Sequence, residues 1–227
     1  MRNATLPSLA FAALAPAAFA GSMSTNLPPA QDGYAVVNAD GTVARGAKGY
    51  SVTHAAGSGQ YEVDTVSDVK TCTYSVTAGS ADVLAPAPAI ATAARKRENR
   101  SAIMVATYDG RGNHTDSGFH LIVRCSDTSG NEGAAAVNAD GTLAHAVGAS
   151  TVGQAGTGSY FVTFNHSDAA SVCAFTGAIG LGGAVGTSDP GFLTVGGDGG
   201  SSAAVRTYDR KGNPADLGFH IFMSCPP

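Results

Sequence analysis

Two segments of the chain carry aspartate and histidine at the same spacing. Asp116 stands four residues before His120, and Asp216 stands four residues before His220. A carboxylate beside an imidazole can serve general acid–base catalysis. The alternative is structural, with the aspartate accepting hydrogen bonds from a turn and the histidine covering a neighbouring strand. Because no GxSxG or HExxH motif accompanies either pair, the sequence favours the structural role and keeps a hydrolase as the alternative.

The polar segment from Asp109 to Asp116 also offers oxygen atoms that could ligate calcium. It lacks the closely spaced oxygen ligands of an EF-hand loop, and Arg111 stands in its middle. Aspartate and asparagine next to glycine are typical of turns. We therefore expect a turn here, and neither a metal ion nor another cofactor.

A cationic run and two tyrosines are the candidate binding residues. The run has four cations within six residues: Arg95, Lys96, Arg97 and Arg100. It could bind an anionic glycan or another acidic polymer, although most charged loops are only solvated. The run contains no aromatic residue on which bases could stack, so we expect no nucleic-acid partner. Tyr108 and Tyr208 stand at predicted strand ends, where they could stack on a sugar or pack within the fold.

The chain contains an internal duplication with a period of about 100 residues. Residues 37–42 (VNADGT) recur unchanged as residues 137–142, and the TYD segment at 107–109 recurs at 207–209. A period of this length exceeds that of a solenoid unit and matches a small β-sandwich. The predicted organisation is a signal peptide (1–20), an N-terminal linker (21–33), a first repeat (34–127), a linker (128–133) and a second repeat (134–227).

Each repeat contains two of the four cysteines, and the duplication selects one pairing among three. The cysteines are 53 residues apart in the first repeat and 52 in the second. We therefore predict the disulfides Cys72–Cys125 and Cys173–Cys225. No CxxC motif is present, and no cysteine has a histidine at zinc-site spacing, so a metal cluster is not expected.

The hydrophobic pattern within each repeat has a period of two. In the last segment Phe119, Leu121 and Val123 alternate with His120 and Ile122, and the second repeat follows the same pattern. Such alternation, broken by short Gly/Asn/Asp turns, is typical of antiparallel strands. The predicted fold is all-β, with two tandem antiparallel sandwiches (Ig-like or flattened barrels) and one disulfide each. The apolar Ile122 and Phe222 on the outer faces could form a seam between the repeats or between chains.

The two repeats diverge over residues 84–94 in the first and 180–200 in the second. The first segment is rich in alanine and proline, and the second is rich in glycine and acidic residues. Because loops on a shared scaffold commonly carry specificity, we expect these segments to be loops that hold any specific binding site.

The amino-terminal residues have the features of an export signal. Arg2 precedes an apolar stretch from Leu6 to Phe19, and residues 18–20 (AFA) fit a signal-peptidase site. The stretch is too short to span a bilayer, and no later segment is long and apolar enough to insert into a membrane. A secreted, extracellular or periplasmic location follows, where cysteines are oxidised. The net charge of −4 provides no global positive field for nucleic acid or anionic membranes.

Residues 34–225 resemble a tandem repeat of secreted bacterial proteins. The motifs that carry the likeness are VNADGT, GxGxYxV, a cysteine strand, TYDxxGN and DxGFH with a closing cysteine. The GxGxY and TYDxxG segments are also similar to β-sandwich modules at phage tail-fibre tips. That likeness implies binding to surface polymers and a trimeric or other homo-oligomeric state. The signal peptide and the disulfides depart from tail-fibre tips and favour a protein exported by a bacterium.

Together these features predict a secreted, non-enzymatic protein for binding, adhesion or surface structure. Its expected partner is a surface polysaccharide or another protein. A hydrolase that uses the repeated Asp/His pairs is the alternative, and an extracellular filament subunit is a third.

Overall fold

The computed structural model describes residues 27–82, 89–125 and 131–226, which are almost entirely β-structure. The first repeat contributes eight strands: β1 (Gly33–Val37), β2 (Val43–Gly46), β3 (Ser51–His54), β4 (Gln60–Asp64), β5 (Thr73–Ala78), β6 (Ile90–Arg95), β7 (Ala102–Tyr108) and β8 (Phe119–Arg124). The second contributes eight strands and one helical turn: β9 (Glu132–Val137), β10 (Leu143–Val147), β11 (Ala149–Gly156), β12 (Ser159–Phe164), α1 (Ala169–Val172), β13 (Ala174–Val185), β14 (Gly191–Gly197), β15 (Ser202–Asp209) and β16 (Phe219–Ser224).

The described strands form three sheets, one of which runs through both repeats. A four-stranded sheet has the order β2-β1-β8-β5, and another has the order β11-β12-β15-β14. The third has eight strands in the order β10-β9-β16-β13-β6-β7-β4-β3, so its first half comes from the second repeat and its second half from the first. All neighbours pair antiparallel except β13 and β6, which are parallel.

The alternation predicted for the closing strand of the first repeat is confirmed. On β8, Phe119, Leu121 and Val123 are buried while Ile122 is exposed. Burying one face of a pleated strand removes every second side chain from water, which is why the apolar period is two. Two clusters of buried side chains result, one drawn mainly from each repeat.

Both predicted disulfides are confirmed. Cys72 is bonded to Cys125 and Cys173 to Cys225. Each bridge joins the residue just before a strand (β5 or β13) to the residue that follows the closing strand (β8 or β16). The bridges therefore close equivalent loops in the two repeats.

The predicted turns have the backbone geometry that glycine permits. Gly41 has φ +84° and Gly112 has φ +84°, in the left-handed region that other residues rarely adopt. Asp109 Oδ1 accepts hydrogen bonds from the amides of Arg111 and Asn113, at 2.8 and 2.9 Å. The aspartate therefore forms the turn that the sequence predicts.

The prediction that residues 84–94 and 180–200 are loops is wrong for most of their described parts. Residues 180–185 continue β13, residues 191–197 are β14, and residues 90–94 belong to β6. The extension of β13 pairs with β6, with Gly180 opposite Ala93 and Leu181 opposite Ala94. The divergent segments thus join the two repeats, and we call this β13–β6 contact the joint.

A run of glycines allows the backbone to approach closely at the joint. A Cβ added to Gly180 would lie 2.2 Å from the carbonyl oxygen of Ala93, and one added to Gly182 would lie 3.0 Å from the backbone of Val137. Beyond the strand, the amide of Gly186 donates to the carbonyl of Arg95 at 3.2 Å. A side chain at Gly180 would therefore clash with the backbone of β6.

The boundaries of the repeats differ slightly from the prediction. β9 begins at Glu132, so the last two residues of the predicted 128–133 linker belong to a strand. In the predicted N-terminal linker, Asp32 Oδ1 accepts a hydrogen bond from the amide of Cys125 at 2.7 Å. The predicted signal peptide lies outside the described residues. Within the described ranges, no helix is long and apolar enough to cross a membrane.

Candidate functional site

Asp116 holds a turn of the β3–β4 hairpin. Its two carboxylate oxygens accept hydrogen bonds from the amides of Gly57 at 2.6 Å and Gly59 at 2.8 Å. Partial burial raises the pKa of Asp116, but the two amides and the nearby His54 outweigh it, so the net pKa is lowered. The ionised carboxylate is therefore the form that the fold selects.

A serine, a histidine and an aspartate meet at this turn, a contact that sequence reasoning missed. His54 Nε2 lies 3.3 Å from Asp116 Oδ2, and His54 Nδ1 lies 3.5 Å from Ser58 Oγ. The carbonyl oxygen of Gln60 is closer to the same Nδ1, at 2.8 Å. Because a carbonyl oxygen can only accept, Nδ1 must carry a proton there. It is then unable to take the proton of Ser58, as a nucleophilic serine would require.

The second repeat shows that a titratable ring is not needed at this position. Gln154 pairs with Tyr160 across the hairpin as His54 pairs with Tyr61. Gln154 Nε2 donates to Asp216 Oδ1 at 2.8 Å, and the amide of Gly158 donates to the same oxygen at 2.6 Å. An amide without acid–base function thus replaces the imidazole, which indicates that the contact is structural.

This internal comparison predicts different costs for two substitutions. His54→Gln should change the free energy of unfolding by less than about 1 kcal/mol, because glutamine serves the same contact in the second repeat. Asp116→Ala should cost about 1–3 kcal/mol, because part-buried turn amides lose their acceptor. Urea denaturation of the two variants measures both values. A larger loss for His54→Gln than for Asp116→Ala would contradict the structural role.

The structure does not bring together the predicted Asp/His pairs. His120 is exposed, and its Nε2 lies 3.0 Å from the carbonyl oxygen of Ser80. His220 is fully buried, and its Nδ1 accepts a hydrogen bond from the amide of Tyr74 in the first repeat at 3.1 Å. The aspartates bind turn amides instead, so neither repeat contains the predicted Asp–His acid–base pair. His220 lies on the outer face of its strand, as the alternation predicted. The first repeat covers this face, however, so the ring is buried.

The cationic run is partly neutralised by carboxylates of the same repeat. Lys96 forms an ion pair with Glu62, and Arg100 forms one with Asp68. Asn99 Nδ2 donates to Asp64 Oδ1 at 2.6 Å. Arg95 ends β6 at the joint and Arg97 is exposed. The four cations therefore do not form one uncompensated patch for an anionic polymer.

The two candidate tyrosines lie in different environments. Tyr108 is buried, and its hydroxyl donates to the carbonyl of Ser188 in the second repeat at 2.8 Å. Its ring is therefore unable to stack on a sugar, which corrects the expectation for this residue. Tyr208 is half-buried and stacks on the exposed Phe192, with ring centroids 5.2 Å apart. In the first repeat Ile90 occupies the position equivalent to Phe192. The duplication therefore gives no hint of this aromatic pair, which is apparent only from the strand register.

A groove of about 250 Å³ opens where the two repeats face each other. Equivalent positions line its two sides, Ile122 and Ser75 from the first repeat and Phe222 and Thr176 from the second. Its other lining residues are Arg124, Glu132, Gly133, Ala174, Phe175, Met223 and Ser224. The predicted seam residues Ile122 and Phe222 thus line one groove between the repeats.

The groove combines an apolar floor with a charged end. Arg124 forms ion pairs with Glu132 and, at 3.5 Å, with Asp32. Ile122 is 50 % exposed, and its cross-strand neighbour Tyr34 is 52 % exposed. The apolar surface therefore continues from the groove onto the outer face of β1 and β8.

One histidine lies beside two sulfurs. His166, Cys173 and Cys225 place a nitrogen and two sulfur atoms within 4.8 Å of one another. Both sulfurs belong to the Cys173–Cys225 disulfide. A disulfide sulfur is a poor ligand because metal binding requires the thiolate, so this cluster does not fit a metal centre.

Comparisons with known proteins give no family. No protein-family model, no curated protein and no solved structure matches the chain. The candidate site is therefore defined by its own geometry.

Proposed function

We propose that this is an exported, non-enzymatic binding or surface-structural protein whose ligand occupies the groove between the repeats. The expected ligand is a surface polysaccharide or another protein. The observation that carries the proposal is the groove itself, which has an apolar floor, hydroxyl groups on both walls and an ion pair at one end. Ligand sites commonly combine apolar walls with a few polar groups that fix orientation.

Within the described residues, neither Asp/His pair that the sequence singled out is assembled, which supports a binding role over hydrolysis. The described carboxylates that the sequence singled out, Asp109, Asp116, Asp209 and Asp216, all accept hydrogen bonds from turns. In the second repeat Gln154 stands where the first has His54. Groups held in this way shape a scaffold and are not free to transfer protons.

We propose that each repeat is a β-sandwich and that the two sandwiches share the eight-stranded sheet. In each sandwich, four strands would pack against four others around the hydrophobic cluster of that repeat. One disulfide would close each sandwich. Two disulfides suit an oxidising compartment, which supports export to the periplasm or the cell exterior. Homo-oligomer formation is part of the same proposal, and light scattering of the exported chain measures it.

The groove is tested by a binding screen with matched variants. The exported chain is screened against an array of bacterial surface glycans and against intact cells. Ile122→Ser should reduce binding at least about tenfold if Ile122 contributes about 1.4 kcal/mol to the contact. Val172→Ser is the control, because Val172 is 49 % exposed, close to the 50 % of Ile122, and is not among the residues that line the groove.

Two results would contradict the proposal. Equal binding by Ile122→Ser, Val172→Ser and the unchanged chain would place the ligand elsewhere, with the Tyr208–Phe192 pair as the next surface to test. Release of reducing sugar or another product from the bound ligand would contradict the non-enzymatic role.

A further inference from the structure

His220 occupies a position where the two repeats depend on its neutral form. The ring is 0 % exposed, and its Nδ1 accepts the amide hydrogen of Tyr74 across the repeat boundary at 3.1 Å. Gly180 passes directly over the ring, since a Cβ there would lie 2.8 Å from His220 Cδ2. The same residue pairs with Ala93 at the joint. The imidazole therefore lies next to the joint that connects the repeats.

Protonation would remove the contact that Nδ1 makes. An imidazolium has donors on both nitrogens and no acceptor, so Nδ1 would face the Tyr74 amide with a second hydrogen. The other nitrogen, Nε2, is buried beside the backbone of Leu181 without a well-aligned hydrogen bond. A buried charge with so little compensation is costly, and separating the strands would relieve it by admitting water.

The strands around His220 offer no carboxylate opposite the ring. β13 has no ionisable side chain, β9 presents Ala136 opposite His220, and β5 presents Tyr74. The ionisable group that acts on His220 is His145 of β10, which pairs with the same Ala136. Its Nε2 is also buried without a hydrogen-bond partner, and burial lowers its pKa. Burial and His145 both lower the pKa of His220, so the surroundings disfavour its charged form.

The polar contacts inside each repeat respond to acid in the opposite way. Hydrogen bonds from Asn113 and Arg111 lower the pKa of Asp109, and the corresponding bonds from Asn213 and Lys211 lower that of Asp209. A carboxylate with a lowered pKa keeps its hydrogen bonds until the pH falls below its ordinary range. The turns thus survive mild acid, and each repeat also has its own hydrophobic cluster and disulfide.

We propose that the joint is an acid-sensitive latch, which opens when His220 is protonated while the disulfide-closed repeats remain folded. Opening separates the extension of β13 from β6 and frees the amide of Tyr74. The groove between the repeats changes shape as a consequence. Mildly acidic surroundings would therefore alter the binding surface without unfolding the chain.

The sign and size of the effect follow from the titration of one group. Burial lowers the pKa of His220 to about 4 in the closed state, whereas an exposed histidine has a pKa of about 6.5. The closed joint is thus most stable above pH 6.5 and is weakened as the pH falls from 6.5 towards 4. Between pH 7.5 and pH 5 the equilibrium constant for opening should rise about 30-fold.

Hydrogen exchange of the exported chain measures this opening directly. The amides of Tyr74 and of residues 180–186 are compared with those of the β4 core, at pH 7.5 and pH 5, after correction for the intrinsic rates. The joint amides should lose protection about 30-fold, and the core amides should change much less. Equal loss at both places, or no loss at the joint, would overturn the proposal without any variant being needed.

Three substitutions assign the effect to its residue. His220→Gln keeps an acceptor for the Tyr74 amide but does not titrate, so it should abolish most of the pH dependence at the joint. His120→Gln changes the exposed equivalent residue in the first repeat and should leave the pH dependence at the joint unchanged. If His145→Gln removes the dependence and His220→Gln does not, the assignment to His220 is wrong.

Discussion

Removing either disulfide is expected to cost about 4 kcal/mol of folding free energy. Cross-linking residues 53 or 52 positions apart restricts the unfolded chain by about this amount in the loop-entropy description. The variants are Cys72→Ala with Cys125→Ala, and Cys173→Ala with Cys225→Ala. Alanine is preferred over serine because Cys72 is buried and alanine places no polar group there. Urea denaturation of each double variant against the oxidised chain measures the loss.

The duplication makes the two double variants controls for each other. Their loops differ by one residue, whereas Cys72 is more deeply buried than Cys173. Losses within about 1 kcal/mol of each other would show that restriction of the unfolded chain dominates. A loss below about 1 kcal/mol in both variants would contradict a stabilising role for the bridges.

Gly180→Ala should weaken the joint by about 1–3 kcal/mol, the usual range for forcing an extra methyl group into a packed site. Its new Cβ would lie 2.2 Å from the carbonyl oxygen of Ala93 and 2.8 Å from the ring of His220. Because the first atom belongs to the backbone, a rotamer change is unable to relieve the clash. The expected result is a lower midpoint in urea together with faster hydrogen exchange across residues 180–186.

Gly153→Ala is the matched control for that substitution. Gly153 also lies in a strand, β11, but a Cβ there would meet no atom within 4 Å. Alanine should be neutral or slightly stabilising at such a position, because it restricts the unfolded chain. Equal stability of the two variants would show that the close approach at Gly180 does not affect the free energy of unfolding.

The features that sequence reasoning predicted correctly are local or follow from the duplication. The alternation of Phe119 and Leu121 with Ile122 identifies the strand and its buried face, because burial acts on each residue separately. The glycine of an Asp–Gly turn marks a positive φ at Gly41. The pairing of Cys72 with Cys125 follows because equivalent residues in two copies of one fold must occupy equivalent places.

The candidate site depends on contacts that no local pattern encodes. His54 meets Asp116 across 62 positions of chain, and the only sequence clue is that Gln154, a residue with a side-chain amide donor, stands at the equivalent place in the second repeat. His120 and His220 both follow a Gly-Phe pair in sequence, yet one is exposed and the other fully buried. The difference arises because the second repeat presents its outer face to the first repeat.

The sequence by itself therefore determined the strands with clear alternation such as β8, the Asp–Gly turns, the repeat and both disulfides, since these follow from the period of apolar residues and from symmetry. Only the tertiary structure decided how the two copies meet: that β13 extends onto β6, that Tyr108 and His220 are buried between the repeats, and that a groove opens beside Ile122. The physical reason is that packing two similar surfaces depends on the shape and close approach of many side chains together, whereas a sequence pattern reports the environment of one strand at a time.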